Sequence, residues 1–490
     1  MRRAPLQPGM AETALGHPME RNNGAARIGT AGPTGGTEAG TRHTSTLPWY
    51  GRSVPARRAN HPADHDPGAD TDPVASGHAS AAGVKSPAGL VVLALEGQEL
   101  TIVVSLLVAG AALRLYGYTQ FPPFGANQDE LAWAWLGQSL WLHHSPSSWS
   151  YLVGYAHVGV MRTYGGVLLP WVHPYFDAPP LFGLLVGGVA LLAGQHTPTQ
   201  VGPQAIRLVP IALSLVSAGL LYRLGRRFLG TPTALVALAA FCVTPWVVEA
   251  SRLVESEWLL APMLLGGLLL ASRPGARPTA AMLALCVLAP LVKVPGVVVG
   301  AACAVALLTE RRWGTAVLAL LAAPVGVGLF AAYGAAIDWQ QFLTIWHAQA
   351  ARHTSLAAGP LFLFSGQDGL WNFVPLNDPL WSVGMVGLAA MLLRRPLGRE
   401  ARIPLAFAGF ALLMALTAST EGSQYYGWYR LAVYPLAYLG VGDLVARNLP
   451  TGIAALLDRL RASPTGDRMT GEAAVTPGPL VAGPVQKGPT

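Results

Sequence analysis

Asn127-Gln128-Asp129-Glu130-Leu131-Ala132-Trp133-Ala134-Trp135 follows an apolar run, roughly Leu100 to Tyr116, and opens a tryptophan-rich segment. Carboxylates are costly in lipid, so an Asp-Glu pair at this place marks the aqueous end of a membrane span. Asn127 can cap a helix, and Glu130, three residues on, has the spacing of a capping box. Trp133, Leu136, Leu140 and Trp141 then recur on one helical face. The segment therefore reads as an amphipathic helix in the membrane interface, where tryptophan concentrates.

Composition agrees with a membrane origin. Of 490 residues, 52% are hydrophobic and only 12% charged, where soluble domains carry about 25% charged residues. The net charge of +7 comes from arginines placed in short loops and in the tails. That distribution is the one expected of cytoplasmic loops and gives no reason to expect nucleic acid as a partner. Cys242, Cys286 and Cys303 all lie inside apolar runs and read as small buried hydrophobes, with no metal set or disulfide framework.

Working outward, the pattern predicts an all-α polytopic membrane protein of about ten transmembrane helices plus one partial, juxtamembrane helix. After the first span come spans near 206–222, 233–250, 256–272, 279–293, 295–309, 314–334, 379–393, 402–419 and 431–446. Segment 179–194 is apolar but short of the ~20 residues a crossing needs, so it reads as a tilted or re-entrant helix. Arg223, Arg226, Arg227, Arg311, Arg312, Arg394, Arg395 and Arg447 then fall on one side, taken as cytoplasmic. Residues 89–449 would form the membrane domain, with outer loops at 117–205 and 335–378. Residues 1–88 and 450–490 are Gly/Pro-rich and aperiodic, and read as disordered cytoplasmic tails. His61, Asp64, His65 and Asp66 lack a fold to hold a metal there.

With this topology the acids gather outside, and the spans carry few ionisable groups. That scarcity disfavours a proton-coupled transporter. Acids mixed with Arg, His, Trp and Tyr suit a site for a sugar and a phosphorylated lipid. Plainer readings stand beside each residue: Asp129 and Glu130 also favour a helix N-terminus electrostatically, and Lys293 can simply snorkel.

In order along the chain come Asp129-Glu130, His173-Pro174, Ala178-Pro179-Pro180-Leu181, Arg207-Leu208, Arg223-Leu224-Gly225-Arg226-Arg227-Phe228-Leu229-Gly230, Ser251-Arg252 with Glu257, Leu291-Val292-Lys293, and Tyr429-Arg430 before Pro435. This series resembles the C-type-fold (GT-C) membrane glycosyltransferases that use lipid-phosphate sugars, notably protein O-mannosyltransferases and the lipid A aminoarabinose transferase. The resemblance implies Asp129 as the base or essential acid, with Glu130 its partner. It implies substrate contacts from Glu257 (Glu255 standing as a substitute), Arg252, Lys293, Arg430, His173, Arg207 and Tyr429. It also implies a polyprenyl-phosphate sugar donor, a glycan, lipid or protein acceptor, and a site facing outward from the cytoplasmic membrane. A divalent metal is compatible with the wider fold, though no ligand spacing here demands one. Relatives often carry a basic residue before Pro-Pro-Leu; here stands Asp177-Ala178, with His173 as a replacement. Two other classes remain: a lipid-linked glycan flippase, and a glycan polymerase or ligase using Arg352 and His353.

Overall fold

The structure is a computed structural model. It describes residues 87–448 apart from 126, 156–158, 165–166, 352–366, 369–375, 395, 397 and 418–426. Residues 1–86 and 450–490 of the two predicted tails, and Arg352 and His353, lie outside the described residues, while 87 and 88 already belong to the first helix.

The described chain is chiefly helical, and the spans expected from the sequence fall on helices, except that 233–250 divides at Thr244 into two. α1 is Pro87–Leu115, α2 Asp129–His143, α3 Pro180–Leu192, α4 Leu208–Phe228 and α5 Thr231–Val243. α6 is Pro245–Ala250, α7 Glu257–Ala271, α8 Ala276–Val292, α9 Val297–Thr309 and α10 Trp313–Ala350. α11 is Pro379–Arg394, α12 Arg402–Thr417 and α13 Tyr434–Asn448. Three stretches, Gln98–Leu115, Pro203–Phe228 and Trp313–Ala350, are long and apolar enough to cross a membrane, and shorter apolar helices stand between and beyond them. The protein is integral to the membrane. α3, with 13 residues, rises only about 20 Å, less than the ~30 Å hydrocarbon core.

Glycines with positive φ turn the chain between neighbouring helices: Gly230 at φ 95° precedes α5, and Gly275 at φ 114° precedes α8. Each is followed by a run of helix-forming apolar residues, so a reversal costs little backbone strain. Small residues let some helices touch backbone to backbone. A Cβ on Gly137 of α2 would sit 1.8 Å from the Gly183 carbonyl oxygen of α3, and one on Gly387 of α11 would sit 2.1 Å from Gly440 O of α13. Close approach of this kind replaces the hydrophobic drive that lipid does not supply.

Three regions depart from the sequence reading. α2 forms where the amphipathic helix is expected, but Glu130 and Ala132 through Ser139 are all buried, and the exposed tryptophan is Trp141 near its end. The helix is thus walled in by α3 and the loop behind it, and meets the exterior only late. The expected capping box does not form: Gln128 stands at the N-cap, Asn127 Oδ1 accepts the Asp129 N–H at 3.0 Å in the turn before it, and Glu130 turns away to Arg207.

The loop after α2, read as polar and aromatic, contains an antiparallel sheet of β1 Ser148–Trp149, β2 Val160–Tyr164 and β3 Val167–Val172, in the order β1-β3-β2. Trp149 and Val160 both face Trp171 across β3. Pro170 inside the central strand conceals that strand from a pattern reading, since proline removes a ladder donor. Beneath the sheet, Ser148 Oγ donates to Ala132 O and Trp149 Nε1 to Gln128 O, which pins the start of α2.

The stretch expected as a second outer loop begins as helix. α10 runs through the expected loop start, breaks at Asp338 (φ −160°, ψ 97°) and resumes to Ala350. Asp338 Oδ1 accepts the Gln341 N–H, capping the resumed segment that carries His347.

Candidate active site

Asp129 and Glu130 are consecutive on α2, so their side chains leave the helix about 100° apart. That divergence sends them to different environments. Glu130 is fully buried and forms a two-pronged ion pair with Arg207: Nε to Oε2 at 2.7 Å and Nη2 to Oε1 at 2.9 Å. Arg207 also donates from Nη1 to the carbonyls of Tyr118 and Pro122 at 2.9 and 2.7 Å. Burial pushes the Glu130 carboxyl up, and the Arg207 guanidinium pulls it back. This pair joins α2, the 117–125 segment and the start of α4.

Arg252 is likewise committed to the scaffold. Its guanidinium donates to the carbonyls of Leu113, Arg114, Tyr116 and Phe121 at 2.8–3.2 Å. These include the orphan acceptors at the C-terminal end of α1, where a cation is favoured by capping and by the helix dipole. Arg114, which the sequence reading did not single out, is fully buried and donates to Ser214 Oγ and to the Phe241 and Cys242 carbonyls. Together Arg114, Arg207 and Arg252 tie the C-terminal ends of α1 and α5 to the N-terminal part of α4.

Asp129 faces a different group. Asn127, whose Oδ1 holds the Asp129 N–H, donates from Nδ2 to Glu255 Oε1 at 2.5 Å. Glu255 lies in the turn between α6 and α7, and Glu257 opens α7, where the helix N-terminus favours a carboxylate. Lys293, at the α8–α9 turn, places Nζ 2.5 Å from Glu257 Oε1 and 4.4 Å from the centre of the Tyr429 ring. Ser256 Oγ donates to the other Glu257 oxygen at 3.2 Å. Asp129, Asn127, Glu255, Glu257, Lys293 and Tyr429, distant in the chain, thus form one polar cluster.

Its electrostatics are uneven: Glu257 and Glu255 both act on one ammonium, and Asp129 acts on Glu255. Burial first, then Asp129 and Glu257, push the Glu255 carboxyl well above the usual glutamate range, against the pull of Lys293 and Asn127. Burial pulls Lys293 down, but Glu257, Tyr429 and Glu255 outweigh it and hold the ammonium above its ordinary value. The cluster therefore contains the Lys293–Glu257 ion pair beside a Glu255 carboxyl whose proton is held more tightly than usual, with the half-buried Asp129 at its edge. Like-charge neighbours in a shared site separate in this way.

The remaining predicted residues lie apart or serve other contacts. Arg430 is 1% exposed, with its guanidinium over Trp381 at 5.1 Å. His173 is exposed, and its Nδ1 lies 3.0 Å from Ser147 Oγ and 3.2 Å from Pro146 O. Asp177, which stands where relatives often carry a base, accepts from Ser150 Oγ at 2.5 Å. No set of three or more His, Cys, Asp or Glu side chains is arranged to hold a metal among the described residues. Sequence reasoning treated Asn127 as a cap and Glu255 as a substitute, and both prove to touch Asp129's surroundings. The only signal was their proximity to motif residues, Asn127 to Asp129 and Glu255 to Glu257.

Residues 177–334 match the family profile described as dolichyl-phosphate-mannose-protein mannosyltransferase. The match bears out the resemblance to GT-C membrane glycosyltransferases. It takes in Arg207, Arg252, Glu255, Glu257 and Lys293, and stops short of Asp129 on one side and Tyr429 on the other. Among solved structures the chain is similar to ArnT from Cupriavidus metallidurans bound to undecaprenyl phosphate, at 18% identity and TM-score 0.45 over 76% of this chain and 63% of that one. It is also similar to the oligosaccharyltransferase AglB from Archaeoglobus fulgidus, in complex with an inhibitory peptide and a dolichol-phosphate. There the identity is 12% and the TM-score 0.45, over 76% of this chain and 52% of that one. The chain thus spans less than two thirds of the length of either structure. No curated protein matches it.

Proposed function

We propose that this protein transfers a sugar from a polyprenyl-phosphate donor to an acceptor hydroxyl on the outer face of the cytoplasmic membrane. The observation that carries the proposal is the polar cluster around Asp129, built partly from residues inside the family match. Asp129 is the one acid of the motif pair left facing that cluster, because Glu130 is spent on Arg207. In the proposed step the acceptor hydroxyl gives its proton to the Asp129 carboxylate as its oxygen bonds to the anomeric carbon. The bond from that carbon to the lipid phosphate breaks, with inversion, and the lipid phosphate leaves with the electron pair. A phosphate is a good leaving group, so the protein need mainly orient the reactants and accept a proton. Lys293, held at the cluster by Glu257 and partly open, is the cation placed to meet the phosphate, with Tyr429 stacked against it. Arg207, Arg252 and Glu130 are assigned to holding the outer ends of the helices. Residues 1–88 and 450–490 are proposed as dispensable cytoplasmic tails.

The test is transfer from a radiolabelled polyprenyl-phosphate hexose in membranes carrying wild type or Asp129→Asn at equal expression. Transfer by wild type with loss in the variant supports both the reaction and the base. Equal transfer by both removes Asp129 from the role.

A further inference from the structure

A cavity of about 430 Å³ opens between α1 and α4, at the end of α4 that carries Arg223, Arg226 and Arg227. Leu100, Val103 and Gly219 form its apolar wall, and Glu99, Tyr222, Arg223 and Arg226 its polar one. A Cβ added to Gly219 would meet nothing within 4 Å, so the glycine keeps this wall open. The acid of the lining is already engaged: Glu99 accepts from the Tyr222 hydroxyl and pairs with Arg226 at 3.1 Å. Arg223 is exposed and makes no hydrogen bond or ion pair among the described residues. The lining therefore carries one uncompensated positive charge beside an apolar slot. On the outer side of that slot runs α1, whose apolar stretch is only 17% buried and so faces lipid.

An arginine at the end of a membrane helix ordinarily does no more than set topology. Here a second guanidinium, a tyrosine and an open apolar slot converge on the same space. The volume falls within the ~300–1,000 Å³ usual for small-molecule sites. Basic pockets between membrane helices are suited to anionic lipid headgroups, and guanidinium groups match phosphate oxygens in pairs. We infer that this cavity binds an anionic glycerophospholipid: Arg223 and Arg226 meet its phosphate, while Leu100, Val103 and Gly219 take the first part of an acyl chain. A zwitterionic lipid would bring its own ammonium against Arg223 and is selected against. The site stands apart from the proposed chemistry, because Arg223 lies about 22 Å along α4 from the Arg207 end. It does not depend on the transferase reading.

The experiment is native mass spectrometry of the full chain in detergent, titrated with phosphatidylglycerol and with phosphatidylcholine. Phosphatidylglycerol should bind the tighter, and Arg223→Gln should weaken it about fivefold while leaving phosphatidylcholine unchanged. Gly219→Leu, which fills the slot without touching charge, should weaken both lipids. Arg227→Gln should change neither, since that side chain donates to Ser272 O. Millimolar inorganic phosphate should not displace the lipid. Melting temperatures of the lipid-free variants separate loss of the site from loss of the fold. Equal affinities for the two lipids, an unchanged phosphatidylglycerol affinity in Arg223→Gln, or displacement by phosphate alone would each overturn the proposal.

Discussion

Two acid–base pairs flank the Asp129-Glu130 step and behave in opposite ways. Glu130 and Arg207 are fully buried and matched bond for bond, with backbone carbonyls taking what the carboxylate leaves of the guanidinium. Glu257 and Lys293 are as close, but Lys293 keeps 21% of its side chain exposed, and Glu255, itself beside Asp129, presses on the pair. The first pair has nothing left to offer a ligand. The second keeps a cation with an open side beside a further acid, and that is the ground for proposing it, and not the first, as the reactive one.

The sharpest way to break this comparison is through the neighbouring acids. Asp129→Asn should lower transfer on the order of 10²–10⁴-fold, the usual worth of a general base, with an unchanged melting temperature. A variant that instead melts early would place Asp129 with the structural pair.

Arg207→Leu should act the other way, leaving Glu130 buried without its partner at a cost of about 3–5 kcal/mol. The expected result is a large drop in melting temperature and poor recovery of protein from membranes. A stable, inactive Arg207→Leu protein would show that the pair belongs to the chemistry after all.

Lys293→Gln should be milder for stability and specific in kinetics. With a partly open side chain, it should raise the KM for the lipid-linked donor about tenfold, the scale of one charge-assisted hydrogen bond. A change confined to kcat would move Lys293 from donor binding to the reacting atoms.

Glu255 sharpens the comparison through pH. Its folded carboxyl titrates well above the unfolded one, through burial and then Asp129 and Glu257. The folded state therefore keeps a proton that the unfolded chain releases, and stability falls as pH climbs from the ordinary glutamate range, ~4.3, towards the folded value. Between pH 5 and 8 the wild-type melting temperature should fall more steeply than that of Glu255→Gln, which carries no titrating proton. Parallel curves would remove Glu255 from the cluster. The smallest effect expected is from trimming: a chain spanning 89–450 should transfer at the wild-type rate, and its inactivity would give the tails a function.

Much of the scaffold was legible because its signals are local. Runs of apolar residues punctuated by Gly, Pro and Arg located the helices, and even the shortfall of 179–194 reappears as the 13-residue α3. The β-sheet of the first outer loop was not legible. Its strands are short and one carries Pro170, so pairing across the loop outweighs the local pattern.

The site divides along the same line. Sequence alone determined that Asp129, Glu257 and Lys293 sit at the ends of spans, since charge is expelled from lipid and must collect there. It could not tell Asp129 from Glu130, or Arg252 from Lys293, because each pair shares its chemistry and its depth in the membrane. Tertiary structure gives the members of each pair different surroundings. The turn of α2 points Glu130 at Arg207, the end of α1 claims Arg252 with its carbonyls, and the α6–α7 turn carries Glu255 to Asn127. A buried cation or carboxylate must find its partners wherever the packing provides them, and that is settled only when distant helices meet.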